Sequence, residues 1–597
     1  MAKVIFNDQT RRRLAKLAQG RRRGAAQLGQ QADEQIERLL IRRFDQLVSV
    51  RRFVLLWISL FVFLFFLTVL QLRSLSPYYQ SLQPVPGGMY SEGLSGAFTN
   101  ANPLYATGAA NSTISSLIFP GLFKFDTNGN LIGDLARRWK ADVSGKNYMI
   151  SIKPNLTWHD GVAFTADDVV FTYTTIQDIA AQSSLRANWQ GIKVTKLGDY
   201  TVNFSLPNGL SSFPYSLTNG IIPRHLLGHV APQAMRSASF NTAPVGTGPF
   251  KWKFVEVKGV NAAEREQRIT LAPFNKYYGG RPKLDGFSII TFSDDQHLIT
   301  AFKNKQINAM SGLDELPGEF SGNSNIETHV TPLTSSVMAF FNNSKTLLSD
   351  VNIRRALVAS INTKDIVGLL NYPAKLAHGP LLSNQLGYDA TISQPGYNAQ
   401  YANQVLDQAG WVKDGQGHRV KNGQTLQLAL SSQYTSDYTK VAQFLQQQWA
   451  KIGVQVSVRY YSGDDLQSAV IANHDYDILL YGISVGADPD VFAYWDSSQA
   501  NISSQGHLNL SEYKSSVADQ ALEAGRTRSD PALRAIKYKA FLGAWVADAP
   551  ALALYQPNYI YITRGPVFGY ERKEDTRLTD RFSNVSNWTI RQQHKNL

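Results

Sequence analysis

The chain has 597 residues, 43% of them hydrophobic and 11% aromatic, too many for a single core, so several lobes with their own interiors are expected. Its formal net charge of +13 is unevenly spread: residues 1–52 carry a net +8 and the remainder only +5, which argues against nucleic-acid binding by the main body. The absence of cysteine excludes disulfides and thiolate metal ligands.

In the basic tail, Arg11-Arg12-Arg13 and Arg21-Arg22-Arg23 sit in a polar, Gln-rich stretch. Ile36, Leu40, Phe44 and Leu47 then recur at three- and four-residue spacing, which predicts a short amphipathic helix. The tail either binds anionic headgroups or a cytoplasmic partner, or simply sets topology; the second is the simpler reading. Phe53 to Leu70 follows, with no charge and only Ser59 and Thr68 as polar residues. That run is near the lower bound for crossing a hydrocarbon core of about 30 Å, and Gln71 and Leu72 extend it, giving a membrane helix over 53–72. Arg42, Arg43, Arg51 and Arg52 on its amino-terminal side place the tail in the cytoplasm and everything after Arg73 outside. A cleaved signal peptide fits less well, because the apolar run exceeds about 7–15 residues and QLRSLSPYYQ offers no small-x-small cleavage site. A fully buried core helix fits worse beside so basic a flank.

Pro77, Pro84 and Pro86, ending in Gly87-Gly88, predict a tether over 73–87. Beyond it, strand-like and helix-like segments alternate to the end, a mixed α/β pattern without repeats. The most readable stretch is Ser116 to Phe171. An apolar run closes on Gly121, Asn128-Gly129-Asn130 makes a turn, and alternating Tyr148, Ile150 and Ile152 predict a half-buried strand. Trp158-His159-Asp160-Gly161 makes another turn, and Thr165 with Asp168 predicts a capped helix start. His159 has no second ligand at metal spacing, so the turn is read as structural. Gly246-Thr247-Gly248 is followed by Pro249 and Phe250 and opens no phosphate loop; a hinge or the start of a strand fits it better. No HExxH, GxSxG or Walker pattern is present, so no catalytic residue, metal or cofactor is expected.

Several of these blocks, in order and spacing, resemble the extracytoplasmic solute-binding proteins of family 5, the oligopeptide, dipeptide and nickel-binding group that serves ABC importers. They are Gly87-Gly88-Met89-Tyr90, Asn102-Pro103-Leu104, the Ser116–Phe171 stretch, and Gly246 to Phe250 with Asn275, Tyr277, Tyr278, Gly279, Gly280, Pro282, Leu284 and Asp285. Asn342, the Asp350–Leu357 segment, Ala409-Gly410-Trp411 and Ile452-Gly453-Val454 continue the pattern. Asp350 should cap a helix whose Ile353, Ala356 and Leu357 face the core.

The resemblance implies an α/β, two-lobed periplasmic-binding-protein-like fold of the large, peptide-binding type with an extra domain, preceded by one transmembrane helix. Lobe I would take residues 88–128, 241–335 and 545–597, the extra domain 129–240, and the second lobe 336–544. It also implies a non-enzymatic receptor, monomeric outside the membrane, that closes its lobes on a peptide and passes it to ABC permease subunits. Many relatives are held by a lipid on cysteine, which this chain lacks; the helix would replace it. The ligand would lie between two extended segments, Ser112, Thr113 and Ile114 on one lobe and Tyr481, Gly482 and Ile483 on the other, with Tyr105 and Trp495 as apolar walls. Where peptide-binding members place an aspartate for the ligand's ammonium, an ungapped count gives Val485, so Asp488 is the candidate substitute. Two other functions stay open: a non-peptide solute such as an oligosaccharide or a nickel or haem complex, and a surface sensor or adhesin.

Overall fold

The computed structural model describes residues 50–596 except 262–263, 314–316, 321, 371, 373, 503–507 and 572–576, together with 9, 12, 13 and 16. The amphipathic helix expected over 36–47 lies outside the described residues. The chain forms two compact units, one of residues 1–83 with 592–597 and one of 84–591.

In the first unit a helix runs from Arg51 to Tyr79, and its Arg51–Ser74 portion, of mean hydropathy 2.9 over its most apolar window, is long and apolar enough to cross a membrane. Thr68 returns its hydroxyl to Leu64 O at 2.8 Å, so the polar group costs little in an apolar setting. The tether expected over 73–87 is corrected: the helix continues to Tyr79, and Gln80–Val85 is a strand laddered with Arg591–Asn596. The helix runs two residues past Pro77, so treating that proline as the point where helix gives way to tether ended the helix too early.

The second unit is built on three larger sheets, with a three-stranded and a two-stranded sheet beside them among the described residues. Seven strands run in the order Ile326–Pro332, Asn558–Arg564, Ala309–Ser311, Met89–Ser95, Gly286–Phe292, Glu266–Pro273, Phe250–Lys258, with parallel pairing on both sides of Met89–Ser95. Six strands run in the order Lys375–Leu376, Ala551–Gln556, Ser335–Phe341, Ile478–Ser484, Gln427–Gln433, Gln455–Tyr461. The four strands Ala136–Ala141, Asn147–Ile152, Thr201–Ser205 and Lys193–Gly198 belong to the inserted extra domain, which has its own core around Trp158, Tyr173, Trp189 and Phe204. The expected return to the first lobe at 545 is corrected to Pro557, because Ala551–Gln556 is a strand of the second sheet.

Local expectations are met for local reasons. Tyr148, Ile150 and Ile152 are buried while Asn147 and Met149 face out. Thr165 and Asp168 complete a capping box, and Asp350 accepts from Asn352 N with Ile353, Ala356 and Leu357 buried behind it. Gly453 ends its helix at φ +85°, where a side chain would also meet Gly417 O at 2.6 Å. Gly246 and Gly248 start the strand Phe250–Lys258 by passing against the end of helix Ala109–Ile118; a Cβ on Gly246 would lie 2.0 Å from Ile118 O.

His159 locks its turn onto that block. Gly246 N–H donates to its Nδ1 at 3.2 Å, which leaves Nε2–H to donate to Gly248 O at 3.0 Å. Burial lowers its pKa to about 4, against the Gly248 hydrogen bond. Unfolded, the ring takes up a proton near pH 6.5; folded, only near pH 4, so this stabilisation is complete above 6.5 and is lost as pH falls toward 4, on the order of 3 kcal/mol in all. His159→Gln is therefore expected to flatten the fall in melting temperature across that window; an unchanged slope would remove His159 from the acid response.

Candidate functional site

The seven-stranded and six-stranded sheets are joined where strands cross between them, at Leu333-Thr334 and at Pro557. Leu333 N–H donates to Pro557 O at 3.0 Å, and Gln556 Nε2 donates to Leu333 O at 2.7 Å. The chain leaving strand Ile478–Ser484 ties in at the same point, since Val485 N–H and Gly486 N–H both donate to Thr334 O, at 3.0 and 3.1 Å. Interfaces between lobes are where solute sites form.

Strand Ile478–Ser484 has the property such a site needs. One edge pairs along its whole length, from Phe341↔Ile478 to Ser335↔Ser484. The other edge pairs in parallel only at Ile478, Leu479 and Leu480, because the neighbouring strand stops at Gln433 and Thr435 caps the helix Ser436–Lys451. From Tyr481 to Ser484 that edge has no strand partner among the described residues. A free edge supplies a row of main-chain donors and acceptors to any extended chain laid beside it.

Tyrosines surround this edge. A Cβ on Gly482 would lie 2.8 Å from the Tyr438 hydroxyl, so that hydroxyl stands against the strand there. Tyr494 donates to Ser484 O at 2.8 Å, and Tyr481 donates to Gln467 Oε1 at 3.4 Å. Tyr372, Asp437 and Tyr555 cluster nearby in the same lobe. Burial pushes the Tyr494 hydroxyl up to about 12 and raises Tyr481 and Tyr438, so these groups stay protonated and neutral at physiological pH. Neutral aromatic hydroxyls offer apolar area and adaptable hydrogen bonds together.

The structure brings together only part of the residue set expected from sequence. Tyr481 and Gly482 are half-buried on the open edge, whereas Ile483 is 3% exposed and points into the second lobe's core. Ser112, Thr113 and Ile114 are corrected from an extended segment to a helix, Ala109–Ile118, whose backbone is bonded internally. Thr113 accepts from Arg581, Ile114 is core, and Ser112 borders a cavity of about 570 Å³ between the first lobe and the extra domain, with Lys124, Asn219 and Arg577. Tyr105 is not a cleft wall: it packs in the extra domain's core and donates to Ala181 O at 2.6 Å. Trp495 is fully buried, stacked on Phe340 at 5.8 Å and edge-on to Trp545 at 5.7 Å. Asp488 is 8% exposed and gripped by both terminal nitrogens of Arg534, at 2.7 and 3.0 Å, so its carboxylate is already neutralised and does not await a ligand ammonium. Sequence reasoning missed Tyr438 and Tyr494, which carried no motif of their own.

Two lobes joined by crossing strands, with an open strand edge at the junction, define a class of solute-binding proteins that hold a ligand between lobes. The family described as bacterial extracellular solute-binding proteins, family 5 Middle, matches residues 130–504, and the chain belongs to that family. It is 29% identical over 488 residues to the oligopeptide-binding protein AppA of Bacillus subtilis (strain 168), covering 80% of this chain and 87% of that protein. The structure of AppA from Bacillus subtilis in complex with a nonapeptide superposes with a TM-score of 0.68 at 27% identity, covering 85% of this chain and all of that one. NikZ from Campylobacter jejuni in complex with Ni(L-His) superposes with a TM-score of 0.71 at 25% identity, covering 84% of this chain and 99% of that one. The chain is thus an extracytoplasmic solute-binding receptor of the ABC-import type, a binding protein and not an enzyme.

Proposed function

We propose that this chain captures peptides between its two lobes and delivers them to the permease of an ABC importer while its own helix holds it to the membrane. The observation that carries the reading is the open edge Tyr481–Ser484 at the lobe junction. Main-chain pairing there grips any extended peptide regardless of sequence, with Tyr481 and Gly482 in direct contact and the neighbouring tyrosines adapting to the side chains. The bound peptide favours the closed arrangement through its differential affinity for it. Likeness to AppA, which is described with a nonapeptide, supports a peptide ligand. The Arg51–Ser74 segment, which opens with Arg51 and Arg52, supports a single pass with the tail cytoplasmic and the lobes outside. Tethering beside a permease raises the effective concentration of loaded receptor there.

A peptide bound this way slows amide exchange on the strand edge. Hydrogen exchange on the full-length chain in detergent, with and without a nonapeptide pool, is expected to show new protection at Tyr481–Ser484. Bound peptide with unchanged exchange there would refute the strand-edge grip.

A further inference from the structure

The extra domain touches the second lobe at a place neither crossing strand explains. On the extra domain, Ser211 donates through both its N–H and its hydroxyl to Arg526 O, at 2.9 and 3.0 Å. Ser212 donates its hydroxyl to Asp490 Oδ2 at 2.9 Å. On the second lobe, Asp490 pairs with Arg526 at 3.3 Å, and the Arg526 guanidinium lies 4.1 Å over the ring of Phe492. Behind this contact the Asp488–Asp490 turn is rigid: Asp488 is gripped by Arg534 and accepts from Asp490 N at 3.0 Å. The turn therefore presents Asp490 to the extra domain from a fixed mount.

We infer that Ser212, Asp490 and Arg526 form a reversible catch that holds the extra domain against the second lobe and so sets how long a captured solute stays. Three features distinguish a catch from a permanent seam. The contact is polar and charged, as surfaces that part and meet again are. It is incompletely satisfied, since Asp490 Oδ1 and Arg526 Nε are buried without a hydrogen-bond partner, so its closed form is held close to balance. It is also loosely packed, being flanked by a cavity of about 810 Å³ between the same two surfaces. The lobes are joined covalently by two strands alone, and this third, breakable attachment limits how they separate. These are positioning residues: they act on the solute through the arrangement of domains.

The inference rests on the capture reading, and the test separates the two. The chain has no cysteine, so Val143→Cys on the extra domain and Val517→Cys on the second lobe, both well exposed, accept one nitroxide each in the full-length protein. Pulsed electron resonance on the unliganded protein is expected to give a dominant narrow distance with a minor longer one. Ser212→Ala with Asp490→Asn should raise a longer-distance population at least about tenfold, as losing a hydrogen bond to a charged group does, and Ser212→Thr should restore the narrow form. The same loss should speed release of a dye-labelled nonapeptide by about tenfold. Superimposable distances would overturn the catch, and changed distances with unaltered release would overturn its role in retention. If the wild type does not bind the nonapeptide, the peptide reading falls while the distances still judge the catch.

Discussion

Arg581→Met is expected to destabilise the protein by about 3–5 kcal/mol, because it strands a carboxylate in the centre of the first lobe. Glu92, on the central strand Met89–Ser95, is 0% exposed and Arg581 is 1% exposed. The arginine pairs with Glu92, donates to Thr113 Oγ1 at 3.2 Å, and lies 4.0 Å over the ring of Phe582. Ser311 and Tyr561 also donate to the Glu92 carboxylate, at 2.7 and 3.2 Å. One guanidinium thus ties the carboxyl-terminal segment to the central strand and to the helix Ala109–Ile118. Removing it leaves Glu92 charged with two neutral donors and no cation. Adding Glu92→Gln to the same chain removes the stranded charge and should recover part of the loss. Urea midpoints of the two variants against wild type measure this; a loss below about 1 kcal/mol in Arg581→Met alone would show that the pair is not what holds the segment.

The second large effect falls on binding. Gly482→Val is expected to weaken peptide affinity at least about tenfold while leaving the melting temperature nearly unchanged. A Cβ at that position would lie 2.8 Å from the Tyr438 hydroxyl and 3.7 Å from Val337, so the hydroxyl must shift and the branched side chain crowds the strand beside its open edge. The ladder to Ser335–Phe341 needs only the backbone and survives, which is why stability should hold. Gly482→Ala should lose less. Calorimetric titration with the nonapeptide measures both variants, and full affinity in Gly482→Val would move the ligand away from this strand.

Local order was legible in the residues themselves. The capping box at Thr165, the alternation through Tyr148 to Ile152 and the cap at Asp350 each depend on neighbours within a few positions. The helix at Ser112 to Ile114 was legible too: Ala110, Ile114, Leu117 and Ile118 fall on one buried face at helical spacing, and a resemblance-based expectation of extended chain overrode it. What was not legible was long-range pairing. Nothing near Asp488 announces that Arg534, 46 residues later, will take its carboxylate, or that Ser212 will reach Asp490 from another domain. Trp495 shows the same limit, since its surroundings come from Phe340 and Trp545, on distant strands and helices. The open edge at Tyr481 depends on where a neighbouring strand stops, a property of the sheet and not of the strand's own sequence.

The central claim is that the lobes hold peptides. Native mass spectrometry of the full-length chain, released from detergent micelles without refolding and with its small molecules identified, tests it most directly. The account expects a set of co-purifying peptides of differing sequence, because a main-chain grip reads backbone more than side chain. A single non-peptide species, such as a metal chelate, would contradict it.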